Sequence, residues 1–129
     1  MGVVLYYKST SPVDESVRRK IIGESTTLES RRDWWTEPLC FYSETRCPGE
    51  LAGRSKINPP DQFTSREGET LAVDLRDGSF MVYADVRFIV AQLCDWSRQH
   101  GLRWTLSCDG REAGRIEGGS ADEALNKFL

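Results

Sequence analysis

The sequence predicts an α+β fold, an antiparallel sheet of about four to six strands with two main helices packed on one face. Three observations carry this expectation. Apolar residues recur at helical spacing in two separate stretches, residues 102–108 alternate apolar and polar, and the turn dipeptides Pro48-Gly49 and Asp109-Gly110 each sit between β-like runs. The element order expected is β-α-β-β-α-β-β-α, ferredoxin-like in the broad sense, in a single domain covering residues 1–129.

Val3 to Lys8, VVLYYK, is short, β-branched and aromatic and predicts the first strand. Ser11 as cap and Pro12 at the first helical position then signal a helix start, with Asp14 and Glu15 where a helix dipole favours anions. Val13, Val17, Ile21 and Leu28 recur at spacings of four, four and seven, a stripe that carries the helix to about Ser30 despite Gly23. Arg31 and Arg32 lie near its carboxyl end, where cations are favourable.

The run EPLCFYSE, residues 37–44, predicts a strand, TRCPGE a turn and LAGRSKI the returning strand of a hairpin. Prolines and charges make residues 58–69 a loop, and the alternation of Leu71, Val73 and Leu75 adds a strand at Leu71–Leu75, with Asp77-Gly78 as a hairpin turn. Val82, Val86, Ile89, Leu93 and Trp96 form the second helical stripe, so a helix is expected from about Tyr83 to His100, stopped by Gly101. Leu102, Trp104, Leu106 and Cys108 then alternate with Arg103, Thr105 and Ser107 in a strand with one buried face, which Asp109-Gly110 turns back into REAGRIE. SADEALNKFL closes the chain as a short helix, with Ser120 and Glu123 spaced as a capping box. LAGR at Leu51–Arg54 and EAGR at Glu112–Arg115 occupy matching second strands of the two hairpins, a faint sign of duplication.

Chemistry has little to build on. Seventeen basic and 20 acidic residues give a net charge of −3, so the overall field does not draw the chain to nucleic acid or to an anionic membrane. The first residues carry no basic, apolar export signal, and Tyr6 stands where a myristoylation signal has Ser or Thr, so a cytoplasmic protein with no membrane association is expected. Cys40, Cys47, Cys94 and Cys108 have neither CxxC spacing nor a partnering histidine, so no metal site is expected and the thiols should be reduced and structural. His100 is the single histidine and reads as a helix-end residue; Cys94, six positions earlier, lies about 240° around the helix and forms no local dyad with it. Asp74, Asp77, Glu67, Glu69, Asp85 and Asp95 read as solvated, and GELAGRS lacks the lysine and context of a phosphate loop. No catalytic residue and no cofactor is therefore expected.

Adjacent Trp34 and Trp35 face opposite ways in an extended segment. Trp35 shares the parity of Leu39 and Phe41 and should go under the helices, leaving Trp34 at the sheet edge or surface, spare for binding. The same parity turns Leu5, Leu39, Phe41, Leu51, Trp104 and Leu106 toward the helices and sends Tyr6, Lys8, Tyr42, Arg54, Lys56, Arg103 and Thr105 to the other face. Tyrosines among cations suit contact with a partner, which makes Tyr6, Tyr42, Arg54, Lys56, Arg103 and Trp34 the candidate binding residues. The function expected is a non-catalytic protein-binding module, an adaptor, inhibitor or immunity-type protein, acting as monomer or homodimer through this face and the acidic 61–77 loop. The alternative is a small-ligand or nucleic-acid binder using the Tyr and Arg face; an enzyme has the least support. Counting thiols in the denatured, unreduced protein should give four, and two or none would overturn the reduced assignment.

Overall fold

The structure, a computed structural model, describes residues 3–32, 34, 37–42, 49–57, 78–108 and 110–128. In chain order it contains β1 (Val3–Ser9), α1 (Glu15–Arg31), β2 (Ala52–Ile57), α2 (Gly78–His100), β3 (Trp104–Cys108), β4 (Arg111–Glu117), β5 (Ser120–Ala121) and α3 (Glu123–Phe128). The five strands form one sheet in the order β2-β1-β3-β4-β5, and every neighbouring pair is antiparallel. This is the α+β class that the residue pattern predicts.

Strand alternation decides which face is buried. Leu5 and Tyr7 of β1, Trp104 and Leu106 of β3 and Ile116 of β4 share a core with Ile21 of α1, Leu125 of α3 and Val86, Ile89, Leu93 and Trp96 of α2. The intervening residues Tyr6, Lys8, Arg54, Lys56, Arg115 and Glu117 are exposed on the opposite face. The second helical stripe is thus the core side of α2, and the indole of Trp96 is tied to α1 by donating to Glu24 Oε2.

Among the described residues the first expected hairpin is not formed as a ladder, and the cause is a side chain; residues 43–48, which include most of its expected turn, lie outside them. Tyr7, 1% exposed, donates from its hydroxyl to the carbonyl of Cys40 at 2.9 Å and accepts from the Cys40 N–H at 3.0 Å. The same oxygen lies 2.9 Å from Ser55 Oγ, which donates to the carbonyl of Pro38 at 2.9 Å. Both main-chain groups of Cys40 are therefore spent on the phenol, and Pro38 has no N–H to offer. Residues 37–42 still run beside β2, with one bridge between Phe41 and Gly53, Tyr42 N–H donating to Ala52 O at 2.9 Å and Glu37 N–H to Lys56 O at 3.0 Å. Gly53 permits the approach, since a Cβ there would collide with the Cys40 carbonyl and lie 2.8 Å from the Tyr7 ring.

Other boundaries move for similar reasons. Helix α1 opens at Glu15, with Asp14 at the N-cap position, rather than at Ser11 and Pro12. The residues before it are committed elsewhere: Ser9 Oγ donates to Ser11 O at 2.7 Å, and buried Val13 donates its N–H to Gly49 O at 2.8 Å. Helix α2 starts at Gly78, so that glycine opens a helix instead of turning a hairpin. The expected loop at 58–69, the strand at Leu71–Leu75 and the acidic 61–77 stretch lie outside the described residues. Near the C terminus, Gly118 and Gly119, with φ of 62° and 81°, turn β4 into β5, so Ser120 pairs in the sheet and does not cap. Asp122 takes the capping role, its Oδ1 accepting from Leu125 N–H at 2.9 Å.

Replacing Tyr7 with Phe leaves the Cys40 peptide groups without this partner and should cost about 1–3 kcal/mol in denaturant unfolding. Burial also pushes the Tyr7 phenol above its ordinary value of 10.0. The unfolded chain ionises there while the folded chain does not, so this contribution is intact below pH 10 and lost as pH rises beyond it. The Phe variant should lack that alkaline decline; an identical decline in both proteins would assign it to other groups.

Candidate functional site on the outer sheet face

Cross-strand register sets the layout of the exposed face. Tyr6 lies between Arg54 of β2 and Ser107 of β3, Lys8 lies between Ala52 and Thr105, and Val4 is opposite Lys56. Thr105 is followed on β4 by Arg115. Tyr42 joins this face through the irregular segment beside β2. Phe41 turns inward, edge-on to Tyr7 at 5.6 Å and stacked on Trp104 at 5.9 Å, so the next residue falls on the opposite side. Tyr6 and Tyr42 are 38% and 44% exposed, and they are the large apolar side chains most open to solvent among the described residues.

The cations of the face divide into two groups. Lys8 Nζ lies 3.5 Å from Glu50, Arg103 Nε 3.2 Å from Glu117 and Arg115 Nε 3.0 Å from Glu112. Such solvated pairs add little stability, but each reduces the charge available to a partner. Arg54 and Lys56 form no ion pair among the described residues, and both are exposed. Their strand is held from outside by Glu37, whose Oε1 accepts the Lys56 N–H at 2.7 Å.

Of the six residues singled out from sequence, Tyr6, Tyr42, Arg54 and Lys56 gather at the β1–β2 end. Arg103 shares the face but sits beyond the start of β3, engaged with Glu117. Trp34 does not belong to the face. Its ring packs edge-on to Phe88 of α2 at 5.4 Å and its Nε1 donates to Leu28 O at 3.4 Å. The parity used for Trp34 carried a strand back to residue 34, whereas Trp34 stands three residues after the end of α1 and outside every strand, so strand alternation does not govern it. Trp35 lies outside the described residues.

Trp34 belongs to a helix-side clamp that the sequence reading missed. The Arg32 guanidinium lies 4.5 Å from the Phe88 ring centre and 5.3 Å from that of Trp34, and its NH2 group is 2.8 Å from Asp85 Oδ1. Asp85 is fully buried rather than solvated. The signal was present: Asp85 is four residues before Ile89 and so occupies the apolar stripe of α2, where an acid needs a cation close by.

Of the described cysteines Cys40, Cys94 and Cys108, Cys40 and Cys94 are free thiols, and Cys47 lies outside the described residues. Cys40 is exposed, yet desolvation pushes its thiol up and the charges of Glu37 and Glu29 push the same way. Its Sγ donates to Arg54 O at 3.4 Å. Burial likewise raises the half-buried Cys94. Among the described residues, no three His, Cys, Asp or Glu side chains gather as a metal site, and no helix is long and apolar enough to cross a membrane. Comparison with known proteins finds no matching family, no matching characterised protein and no matching solved structure.

Alkylation of Cys40, followed by peptide mass spectrometry, should be slow at neutral pH despite its exposure and accelerate only above the ordinary thiol value of 9.0. Rapid labelling at neutral pH would mean that a nearby positive charge outweighs burial and Glu37.

Proposed function

We propose that the protein is a non-catalytic protein-binding module, acting as an adaptor, inhibitor or immunity-type protein, that meets its partner with the outer face of its sheet. The observation that carries this proposal is the grouping of exposed Tyr6 and Tyr42 with Arg54 and Lys56 on a sheet face turned away from the helices. Tyrosine offers a flat, amphipathic contact at small side-chain entropy cost, and arginine offers directional, charge-assisted hydrogen bonds. Hydrogen-bonded strands hold these groups in place before binding, which lowers the ordering cost of association.

A protein partner is favoured over nucleic acid by the charge pattern. The net charge is −3, and carboxylates of Glu50, Glu112 and Glu117 already engage Lys8, Arg115 and Arg103. A polyanion gains its affinity by contacting many cations at once, and this face has few to spare. A cytoplasmic setting fits the free thiols of Cys40 and Cys94.

The test is affinity for the partner recovered with the tagged protein, measured against salt, with thermal melts alongside. Tyr42→Ala should weaken binding at every salt concentration, and Arg54→Ala should weaken it and flatten its salt dependence. Arg103→Ala should act the same way but less, because Glu117 holds that side chain. Stability should change by less than about 0.5 kcal/mol in each variant. Unchanged affinity in all of them would retire the face as a binding surface.

A further inference from the structure

We infer that the β1–β2 corner receives an acidic, extended segment of a partner polypeptide, whose carboxylates pair with Arg54 and Lys56 beside the ring of Tyr6. This rests on the protein-binding function proposed above and specifies the chemistry of the partner. Charge complementarity carries it. Lys8, Arg103 and Arg115 each have a carboxylate from their own chain, whereas Arg54 and Lys56 form no ion pair among the described residues. The demand for anions is therefore concentrated on one strand.

Spacing narrows the occupant. Arg54 and Lys56 are two residues apart on one strand, so they project from the same face about 6–7 Å apart. An extended peptide with acids at alternate positions presents carboxylates at that same repeat. Tyr6, directly opposite Arg54, places an aromatic ring beside the first of these pairs, an apolar surface for the methylene stem of the acid that faces it. At the far end of the corner, Lys8 is matched by Glu50, whose charge disfavours a further acid. A phosphodiester strand has a comparable repeat, but the carboxylates of Glu37, Glu112 and Glu117 border the face and oppose a polyanion that must run across it.

The experiment is a titration of the isotopically labelled full chain, read by backbone amide shifts, with three probes: a short peptide alternating Glu and Val, the same peptide with Gln for Glu, and an oligothymidylate. The Glu–Val peptide should shift β1 and β2 amides saturably, more weakly as salt rises, while the Gln peptide and the oligothymidylate leave them in place. The double variant Arg54→Glu, Lys56→Glu should bind the Glu–Val peptide at least about tenfold more weakly and acquire affinity for a Lys–Val peptide. Arg54→Gln with Lys56→Gln serves as a milder check and should lose the binding without gaining the new one. Equal shifts from the Gln and Glu peptides would overturn the acidic specificity while leaving a protein-binding face. No shift with the Glu–Val peptide, or tighter binding of the oligothymidylate at the same amides, would also overturn it. Failure of the broader function reads differently, as a partner affinity indifferent to Tyr42→Ala, Arg54→Ala and Arg103→Ala alike.

Discussion

A phenol buried beneath the helices fixes residues 38–42 beside β2. Tyr7 sits in the middle of the sheet's inner face, and its hydroxyl satisfies both peptide groups of Cys40 while touching Ser55. Because that oxygen is fixed by β1, Cys40 is fixed too, and its neighbours follow. Leu39 is driven into the core with 0% exposure, and Phe41 is turned onto Tyr7, Trp96 and Trp104. Tyr42 is left on the other side. The composition of the outer face thus depends on a contact made on the inner one. A hydrogen bond between neutral groups adds only about 0.5–1.5 kcal/mol net, but leaving the part-buried Cys40 peptide groups unmatched would cost more.

Most of the sheet was legible because its strands obey a two-residue period. Alternation in β1 and β3 correctly assigned Leu5, Trp104 and Leu106 to the core and Tyr6 to the outer face, and the stripe of Val86, Ile89 and Leu93 correctly gave the buried side of α2. The illegible parts share a cause, which is competition from residues distant in sequence. No local rule foretells that Tyr7 will capture a peptide 33 positions away, or that Gly49 will hold Val13 out of α1. Ser120 satisfied the capping pattern, yet pairing of Glu117 with Ser120 drew it into the sheet and passed the cap to Asp122. For the candidate surface, strand parity placed Arg54, Lys56 and Arg103, but only register shows that Arg103 meets Glu117 and that Arg54 stands against Tyr6. Trp34 was misplaced because it does not lie in a strand, and its ring answers to Arg32 and Phe88 instead.

The two Ala-Gly-Arg triplets acquire a physical meaning in the fold. Gly53 in β2 faces Tyr7 of β1, and Gly114 in β4 faces Leu106 of β3, so each glycine flanks one of the two adjacent strands β1 and β3. A Cβ at Gly53 would strike the Cys40 carbonyl, and one at Gly114 would lie 2.5 Å from Leu125 Cβ. Each missing side chain therefore admits a covering piece, the 37–42 segment at one end and α3 at the other. The arginine that follows is exposed in both cases, without an ion pair among the described residues at Arg54 and paired with Glu112 at Arg115. Equivalent backbone positions thus carry electrostatically different surfaces.

The margins of the sheet bear on the proposed recognition. Along β2, Glu37, Cys40 and Tyr42 occupy main-chain groups of Lys56, Arg54 and Ala52, and at the other margin β5 is two residues long. A foreign strand has little main chain to extend, so joining the sheet by edge pairing is disfavoured. Under the function proposed above, selectivity would rest on exposed side chains and not on main-chain pairing. A face used in that way would let partner preference drift by single surface substitutions while the core stays unchanged, so that divergence in what is bound need leave no trace in the architecture.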